Sequence, residues 1–238
     1  MENPATLSGI FRYASQAMSE AAAGTARKSE RKQQQRSVVT QQKLLDAAIE
    51  AFSENGFKGT STRDIADRAG VHHPLITYHF RNKDQLWRAA TDRIFREFNI
   101  SLVKAMAEVP DVEPKAKAEA FIRTYLHYSR SQPALHRIIL QEANYESDRL
   151  EWLIEQHLRP LFSEVEKALV GLQKIGVAPP GSAAMLFNMI RVCAGGLIAL
   201  KLELKSTSNI DLDCDDQIAE LGDLIIRVFF PGDQPKLN

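Results

Sequence analysis

Ala66, Gly70 and Ile76, spaced Ala-x3-Gly-x5-Ile in "ADRAGVHHPLI", restrict what this chain can fold into more than any other feature of its sequence. Two short helices that meet at a tight turn need a small residue where they cross, and Ala66 supplies it. Four residues on, the turn needs backbone that tolerates positive φ, which Gly70 allows at no steric penalty. Six residues further, an apolar side chain must anchor the second helix, and Ile76 stands there. Ile65 and Ala69 complete the buried face, and Val71 plugs the turn from inside. This is the spacing of helix-turn-helix units whose second helix enters the major groove of DNA.

The flanking sequence supplies helices for this unit to rest on. Leu44, Leu45, Ala48, Ile49 and Phe52 form one helical stripe, which Gly56 is placed to end. "STRD", Ser61 to Asp64, is a capping-box-like start for a helix through Ala69. A short helix follows from about His73 to Phe80. "NKDQ", Asn82 to Gln85, then opens a long amphipathic helix through about Met106. Beyond the prolines at 110 and 114, helical patterns recur at about 115–130, 133–144, 146–173, 180–205 and 214–230. Pro133, Pro160, "APPG" and Pro231 punctuate them. No segment alternates as a strand does.

The expected fold is therefore all-α, with an N-terminal three-helix helix-turn-helix DNA-binding domain and a larger C-terminal helical one, whose reading as a ligand-binding and dimerisation domain is what the resemblance given below implies. The expected division is a flexible, partly basic arm over 1–37, with a short helix near Phe11 to Met18; the helix-turn-helix domain over 38–84; and a helical domain over 85–238, effector-binding and dimerising by the resemblance given below.

A net charge of zero conceals an asymmetry. Residues 26–96 carry 14 Lys/Arg against 8 Asp/Glu, whereas residues 97–238 carry 15 against 20. A basic front suits a polyanion, and five of its basic residues fall in "ARKSERKQQQR". Cys193 and Cys214 lack metal spacing, and two lone thiols suit a reducing cytoplasm. The start has no basic flank followed by an apolar run, so no secretory signal is expected. The apolar run "VCAGGLIAL" is about half of what a bilayer needs, so no membrane association is expected. His127, His136 and His157 have no ligand spacing to one another, so neither a metal nor another cofactor is expected. No nucleophile elbow, phosphate loop or carboxylate pair points to an enzyme.

The stretch from Lys43 to Trp87 resembles the N-terminal domain of TetR-type transcriptional regulators. It carries Ala48-x3-Phe52-x3-Gly56-Phe57 at the end of the first helix, "TRDIADRAGV" in the second, and "YHFRNKDQL" at the close. Two positions depart from the family pattern: His72 stands where a small cap is usual, and Thr77 where a tyrosine is common. The remainder resembles the family only in its helix count.

These two lines together nominate a DNA-binding set. Thr62 donates to phosphate or merely caps its helix. His72, His73 and Pro74 open the recognition helix towards base edges, the histidines as donors and the proline as an apolar edge for a thymine methyl. Thr77 lies one turn on, on the same exposed side. The resemblance implies that Tyr78 hydrogen-bonds phosphate. Lys83 opposes its own helix dipole and becomes favourable only beside an anion such as phosphate. Arg36, with Arg27, Lys28, Arg31 and Lys32, either follows the DNA backbone or minor groove or is a solubilising tail. His79 and Phe80 are read as packing residues.

In the C-terminal unit, where members of this family usually bind a small molecule, the candidates are Phe121, Tyr125, Tyr128, His136, Glu142, Trp152, Phe187, Asn188 and Arg191. Ile139 stands beside them as an apolar candidate. Arg191 interrupts an apolar helix and demands a partner, either a carboxylate such as Glu142 or an acidic ligand. "MLFNMIRVCAGGLIALKLEL", with Gly195 and Gly196 for close approach, and the stripe Ile218, Leu221, Ile225 and Phe229 are either internal core or, as the resemblance implies, the two helices of a homodimer interface. A dimer places two recognition helices roughly 34–36 Å apart on a palindromic operator. The expected function is a ligand-responsive, sequence-specific regulator, most often a repressor in this family, released from double-stranded DNA by a small-molecule effector. The alternative is an architectural, non-sequence-specific DNA binder.

Overall fold

A computed structural model of the chain describes residues 28–110 and 113–231, and every regular element among them is helical. The short helix expected near Phe11 to Met18, and Arg27, lie outside the described residues. Helix α1, Lys28–Gly59, is the longest. It starts well before the stripe that begins at Leu44, so residues 28–37, read from sequence as arm, are helical here. The physical reason is that "KSERKQQQR" holds straight-chain residues with good helix propensity and no breaker. Gly56 kinks α1 with φ 69° and ψ 175°. Beyond the kink, the buried Thr60 hydroxyl donates to the Ala51 and Gly56 carbonyls at 3.0 and 2.8 Å and closes the end of the helix.

Three elements follow in quick order: α2, Thr62–Ala69; α3, Pro74–Phe80; and α4, Lys83–Ala107. Leu86, Trp87, Ala90, Ile94, Phe95, Phe98 and Leu102 are buried along α4 at three- and four-residue spacing, so one continuous face is removed from water. That face packs on α1, on α5 (Pro114–Ser131) and on α6 (Ala134–Glu142). Helix α4 is therefore a shared spine, running from the end of the recognition helix into the larger C-terminal bundle. Asn82 caps it by accepting from the Gln85 N–H at 2.8 Å.

The bundle continues through α7, Asp148–Leu153, a π turn at Ile154–Leu158 and α8, Arg159–Lys174. Next come α9, Ala183–Arg191, a second π turn at Val192–Gly196, α10, Leu197–Ala199, and α11, Lys201–Ser208. Ser147 and Ser182 cap α7 and α9 through their hydroxyls. The chain bends by 76° between Ala183–Ala199 and Lys201–Ser208, and α12, Asp215–Phe229, packs back on α5. Among the described residues no single helix is long and apolar enough to cross a membrane, although that bent pair meets the length and composition test together.

Candidate functional site

The helix-turn-helix is built as its spacing requires. The Ser61 hydroxyl accepts from the Asp64 N–H at 3.0 Å, so the cap of α2 is Ser61. Gly70 turns the chain at φ 63° and ψ 37°. There the Gly70 and Val71 amides close the helix end on Asp67 and Ala66 carbonyls at 3.1 and 3.0 Å. Ile65, Ala66 and Ile76 are buried, with Ala69 and Val71 half-buried beside them. Pro74 stands in the first turn of α3, where a missing N–H leaves nothing unpaired. Arg68 pins α2 to α1, donating to Glu54 at 2.8 Å while also pairing with Asp64 at 3.2 Å. Arg93 likewise joins α4 to α1 through Asp46 at 2.6 Å. Each such half-exposed pair contributes about 0–1 kcal/mol, so their role is positional more than energetic.

On this scaffold His72, His73, Pro74, Thr77 and Tyr78 are all exposed, and Tyr78 retains 76% of its accessible surface. A large aromatic left that open at the middle of a seven-residue helix has no packing role to explain it. Thr62 and His73 share a hydrogen bond of 2.9 Å, which brings the starts of α2 and α3 together. Phe80 is buried and His79 half-buried, its pKa lowered by burial, as packing residues should be. Lys83, in the first turn of α4, rests its ammonium 4.4 Å from the centre of the Phe57 ring. Burial, and then the neighbouring Arg149 guanidinium, lower its pKa. Arg36 is exposed on α1 and has no ion pair among the described residues. Nothing is described of the Lys28, Arg31 and Lys32 side chains.

Two exposed guanidiniums were not singled out from the sequence. Arg63 adjoins Thr62 in the first turn of α2. Arg81 closes α3 with φ 61° and ψ −49°, a positive φ that is uncommon for a residue with a side chain. Neither has an ion pair among the described residues. Adjacency to Thr62 signals Arg63, whereas nothing local in the sequence signals the conformation of Arg81. In contrast, Arg68, Arg88 and Arg93 are spent on internal pairs with Asp and Glu, so the basic surface is more focused than the count of charges suggests.

The C-terminal candidates divide into two groups. One gathers Phe121, Tyr125, His136, Phe187, Asn188 and Arg191. Phe121 stacks on Tyr125 at 6.0 Å, Tyr125 meets His136 edge-on at 5.3 Å, and Phe121 meets Phe187 at 6.5 Å. Phe162, which the sequence did not flag, joins by packing on Phe187 at 4.6 Å, with the Arg191 guanidinium 6.0 Å from its ring centre. Arg191 donates to the Asn188 side-chain oxygen at 3.3 Å.

The other group centres on Arg149, which pairs with the buried Glu142 at 3.2 Å and lies 3.8 Å over the Phe57 ring. Trp152 belongs there too, against Trp87 at 5.6 Å. Glu142 is thus the partner of Arg149 and not of Arg191. Tyr128 joins neither: its hydroxyl donates to the Ile94 carbonyl at 2.8 Å, tying α5 to α4. Ile139 is buried core. The Arg191 group is packed ring against ring. Two surface recesses lie elsewhere, one between α1, α4 and α6 around Asp46 and Arg93, the other beside Glu155.

His136 is, with Tyr125, one of two strongly perturbed groups in this cluster. Its ring is hydrogen-bonded to the buried Ser129 hydroxyl at 2.7 Å, and burial, with Arg191 secondarily, brings its pKa down to about 4. The unfolded chain binds this proton near pH 6.5 and the folded chain only near 4. The stabilisation is therefore fully present above about pH 6.5 and is lost as pH falls towards 4, by an amount on the order of 3 kcal/mol. His136→Asn is expected to flatten the pH dependence of denaturant midpoints between pH 6.5 and 4. An unchanged slope in the variant would assign that acid sensitivity to other groups.

Outward from the bundle, Met185, Met189 and Val192 on one stretch and Leu224 and Val228 on α12 are exposed apolar residues. The stripe expected on α12 faces the other way: Ile225 and Phe229 are core, with Ile218 and Leu221 half-buried. The reason is that α12 is apolar on two sides, and the sequence does not say which meets α5. Gly195, expected to permit close approach of another helix, instead admits the His136 ring: a Cβ built there falls 2.1 Å from the imidazole.

The model for bacterial regulatory proteins of the tetR family matches residues 44–90. The chain is 31% identical over 147 residues to the HTH-type transcriptional regulator RutR of Escherichia coli strain K12, covering 62% of this chain and 68% of RutR. It is 28% identical over 123 residues to the regulator BetI of Proteus mirabilis, covering 44% of this chain and 60% of BetI. Among solved structures, HlyIIR, a hemolysin II transcriptional regulator, superposes with a TM-score of 0.60 at 20% identity, covering 82% of this chain and 98% of that one. AibR, solved in complex with isovaleryl coenzyme A and operator DNA, superposes with a TM-score of 0.66 at 15% identity, covering 82% and 100%. At these identities the structural likeness speaks for the fold.

Proposed function

The chain belongs to the tetR family of bacterial regulatory proteins, and from that premise we propose that it is a ligand-responsive transcriptional regulator that binds a specific palindromic operator as a homodimer. The observation that carries the reading is the exposed set His72, His73, Pro74, Thr77 and Tyr78 at the head of a helix that Gly70, Ile65 and Ile76 hold rigidly. Polar donors and an unpacked tyrosine on a fixed helix suit a major groove flanked by phosphates. Lys83 adds a second argument. Partly buried, near Arg149 and at a helix N-terminus, its ammonium meets three unfavourable features that a phosphate would relieve, while the Phe57 ring face attracts it.

In this reading the dimer forms across the outward apolar faces of α9 and α12, where Met185, Met189, Val192, Leu224 and Val228 are otherwise open to water. The effector occupies the Arg191 group between α5, α8 and α9. Its signal reaches the DNA through α4, which packs on α5 at one end and starts beside α3 at the other. An effector that favours a wrongly spaced dimer releases the operator, and reciprocity requires the operator to weaken effector binding by the same factor. The protein then acts as a cytoplasmic repressor without catalytic activity. The architectural alternative is disfavoured by the internal pairing of Arg68, Arg88 and Arg93, which removes charge from the surface that such a binder would use.

The test is recovery and sequencing of genomic fragments bound by the purified protein at about 0.15 M salt, where non-specific binding is weak. A few enriched sites sharing a palindrome are expected. Uniform recovery, with affinity set by salt alone, would leave an electrostatic binder in place of a regulator.

A further inference from the structure

Arg191 is a half-buried cation without an anion. Its Nε is one of two fully buried side-chain polar atoms, with Thr91 Oγ1, that lack a hydrogen-bond partner among the described residues. Among the described residues its one hydrogen bond is to the neutral Asn188, and no carboxylate lies within ion-pair distance of it. Glu142, the nearest idea from sequence, is committed to Arg149. A desolvated guanidinium in this state is unfavourable unless something outside the described chain completes it. Beside it, Tyr125 is 5% exposed, and its hydroxyl has no protein hydrogen bond among the described residues. Its pKa is raised by burial and eased back by Arg191. It therefore stands as a neutral donor close to that cation.

The charge of the site limits its ligand. His136, with a pKa of about 4, is neutral at physiological pH and so adds nothing to Arg191. Asn188 donates one amide hydrogen to the Ala184 carbonyl at 2.9 Å and turns its oxygen to Arg191, so one neutral amide hydrogen remains to it. That leaves one positive charge, with the Tyr125 hydroxyl and one Asn188 amide hydrogen as neutral donors, against walls of Phe121, Phe162 and Phe187. A dianion such as a phosphate monoester would remain undercompensated, whereas a planar carboxylate matches the guanidinium fork. The second π turn, Val192–Gly196, immediately follows Arg191, and such a turn is a local irregularity that helices commonly carry at functional sites.

We propose that Arg191 and Tyr125 form the receptor for a small monocarboxylate with an aromatic or branched apolar body, and that this acid is the ligand of the chain. The acid enters by displacing the Phe162 and Phe187 side chains that close the cluster, and its carboxylate completes Arg191. The inference rests on the regulatory reading only for its consequence at DNA.

The experiment uses the full chain and three acids, benzoate, phenylacetate and hexanoate, each against its primary amide, with phenylphosphonate as the doubly charged comparator. Calorimetric titration and thermal melting are both recorded. At least one acid is expected to bind and raise the melting temperature, with its amide and the phosphonate inactive. Arg191→Gln is expected to weaken that acid at least about thirtyfold, the effect of removing one member of a buried charge pair. Without ligand this variant should be no less stable than wild type, since it removes an unpaired buried charge. Tyr125→Phe should weaken the acid about tenfold and leave the melting of the free protein nearly unchanged. Arg191→Lys keeps the charge without the fork and should fall between wild type and Arg191→Gln.

Absence of binding by all three acids would overturn the proposal, as would equal binding of the amides or undiminished acid binding by Arg191→Gln and Arg191→Lys. Operator binding by the same preparation separates the two readings. Intact operator binding without acid binding refutes the ligand class alone, and acid binding without operator binding refutes the regulatory reading alone.

Discussion

Gly195→Ala is expected to destabilise the protein by about 3 kcal/mol, lowering its Tm by roughly 6–12 °C for a chain of this size. A Cβ at this position falls 2.1 Å from His136 Cε1 and 2.5 Å from both ring nitrogens. Real side chains never approach so closely, so either the imidazole or the π turn that carries Gly195 must move. The ring cannot swing away freely. It is 4% exposed, hydrogen-bonded to Ser129 and packed edge-on against Tyr125. Ser129 is itself held, its hydroxyl lying 2.6 Å from the Tyr125 carbonyl.

The test is a double-mutant cycle on thermal or denaturant unfolding. His136→Ala alone opens a cavity, and in the double variant the new methyl falls where the ring stood. The double variant should therefore be less destabilised than the sum of the singles, by about 1–2 kcal/mol. Simple additivity would show that the methyl does not strike the ring.

Thr77→Ala combined with Tyr78→Ala is expected to weaken operator binding by roughly 10²–10³-fold, from a contribution of about 1–3 kcal/mol at each contact. The same change should leave stability within about 1 kcal/mol, because both side chains are exposed and neither anchors α3. Salt titration distinguishes this pair from Lys83. Neither residue is charged, so the slope of log affinity against log salt should persist in the double variant. Lys83→Gln should weaken all sequences alike and reduce that slope by about one. Retention of full operator affinity by the Thr77/Tyr78 variant would remove the middle of α3 from the interface and leave recognition to its first turn.

The helix-turn-helix was legible because its demands are local. Ala66 must be small, Gly70 must adopt positive φ and Ile76 must be apolar, and each of these is a property of one residue at one spacing. The starts at Ser61 and Asn82 were readable for the same reason, since a cap is settled within four residues. Helix starts and ends in the C-terminal bundle also came close to their final places, because prolines and periodicity act within one or two turns.

What escaped depended on partners distant in sequence. Glu142 and Arg191 looked like a possible pair, but Arg149 lies seven residues from Glu142 and takes it through a turn no pattern announces. Tyr128 looked like a pocket aromatic until its hydroxyl was found on the Ile94 carbonyl, 34 residues away. Phe162 carried no distinguishing signal, because a phenylalanine on an amphipathic helix is ordinary. Gly195 was visible as a glycine that permits close approach, yet what approaches it is an imidazole from α6. Helix α12 showed an apolar stripe, but it is apolar on a second side as well, and only packing on α5 decides which is buried.

The sequence by itself determined the all-α class, the helix-turn-helix with its exposed polar head, and the start of the spine that follows it, since these rest on steric and capping rules that operate over a few residues. Only the tertiary structure decided which charges are neutralised and which are left open. It committed Arg68, Arg88, Arg93 and Arg149 to carboxylates and left Arg191 without one. Pairing of charges depends on distances between helices far apart in the chain, and one-dimensional spacing does not contain those distances.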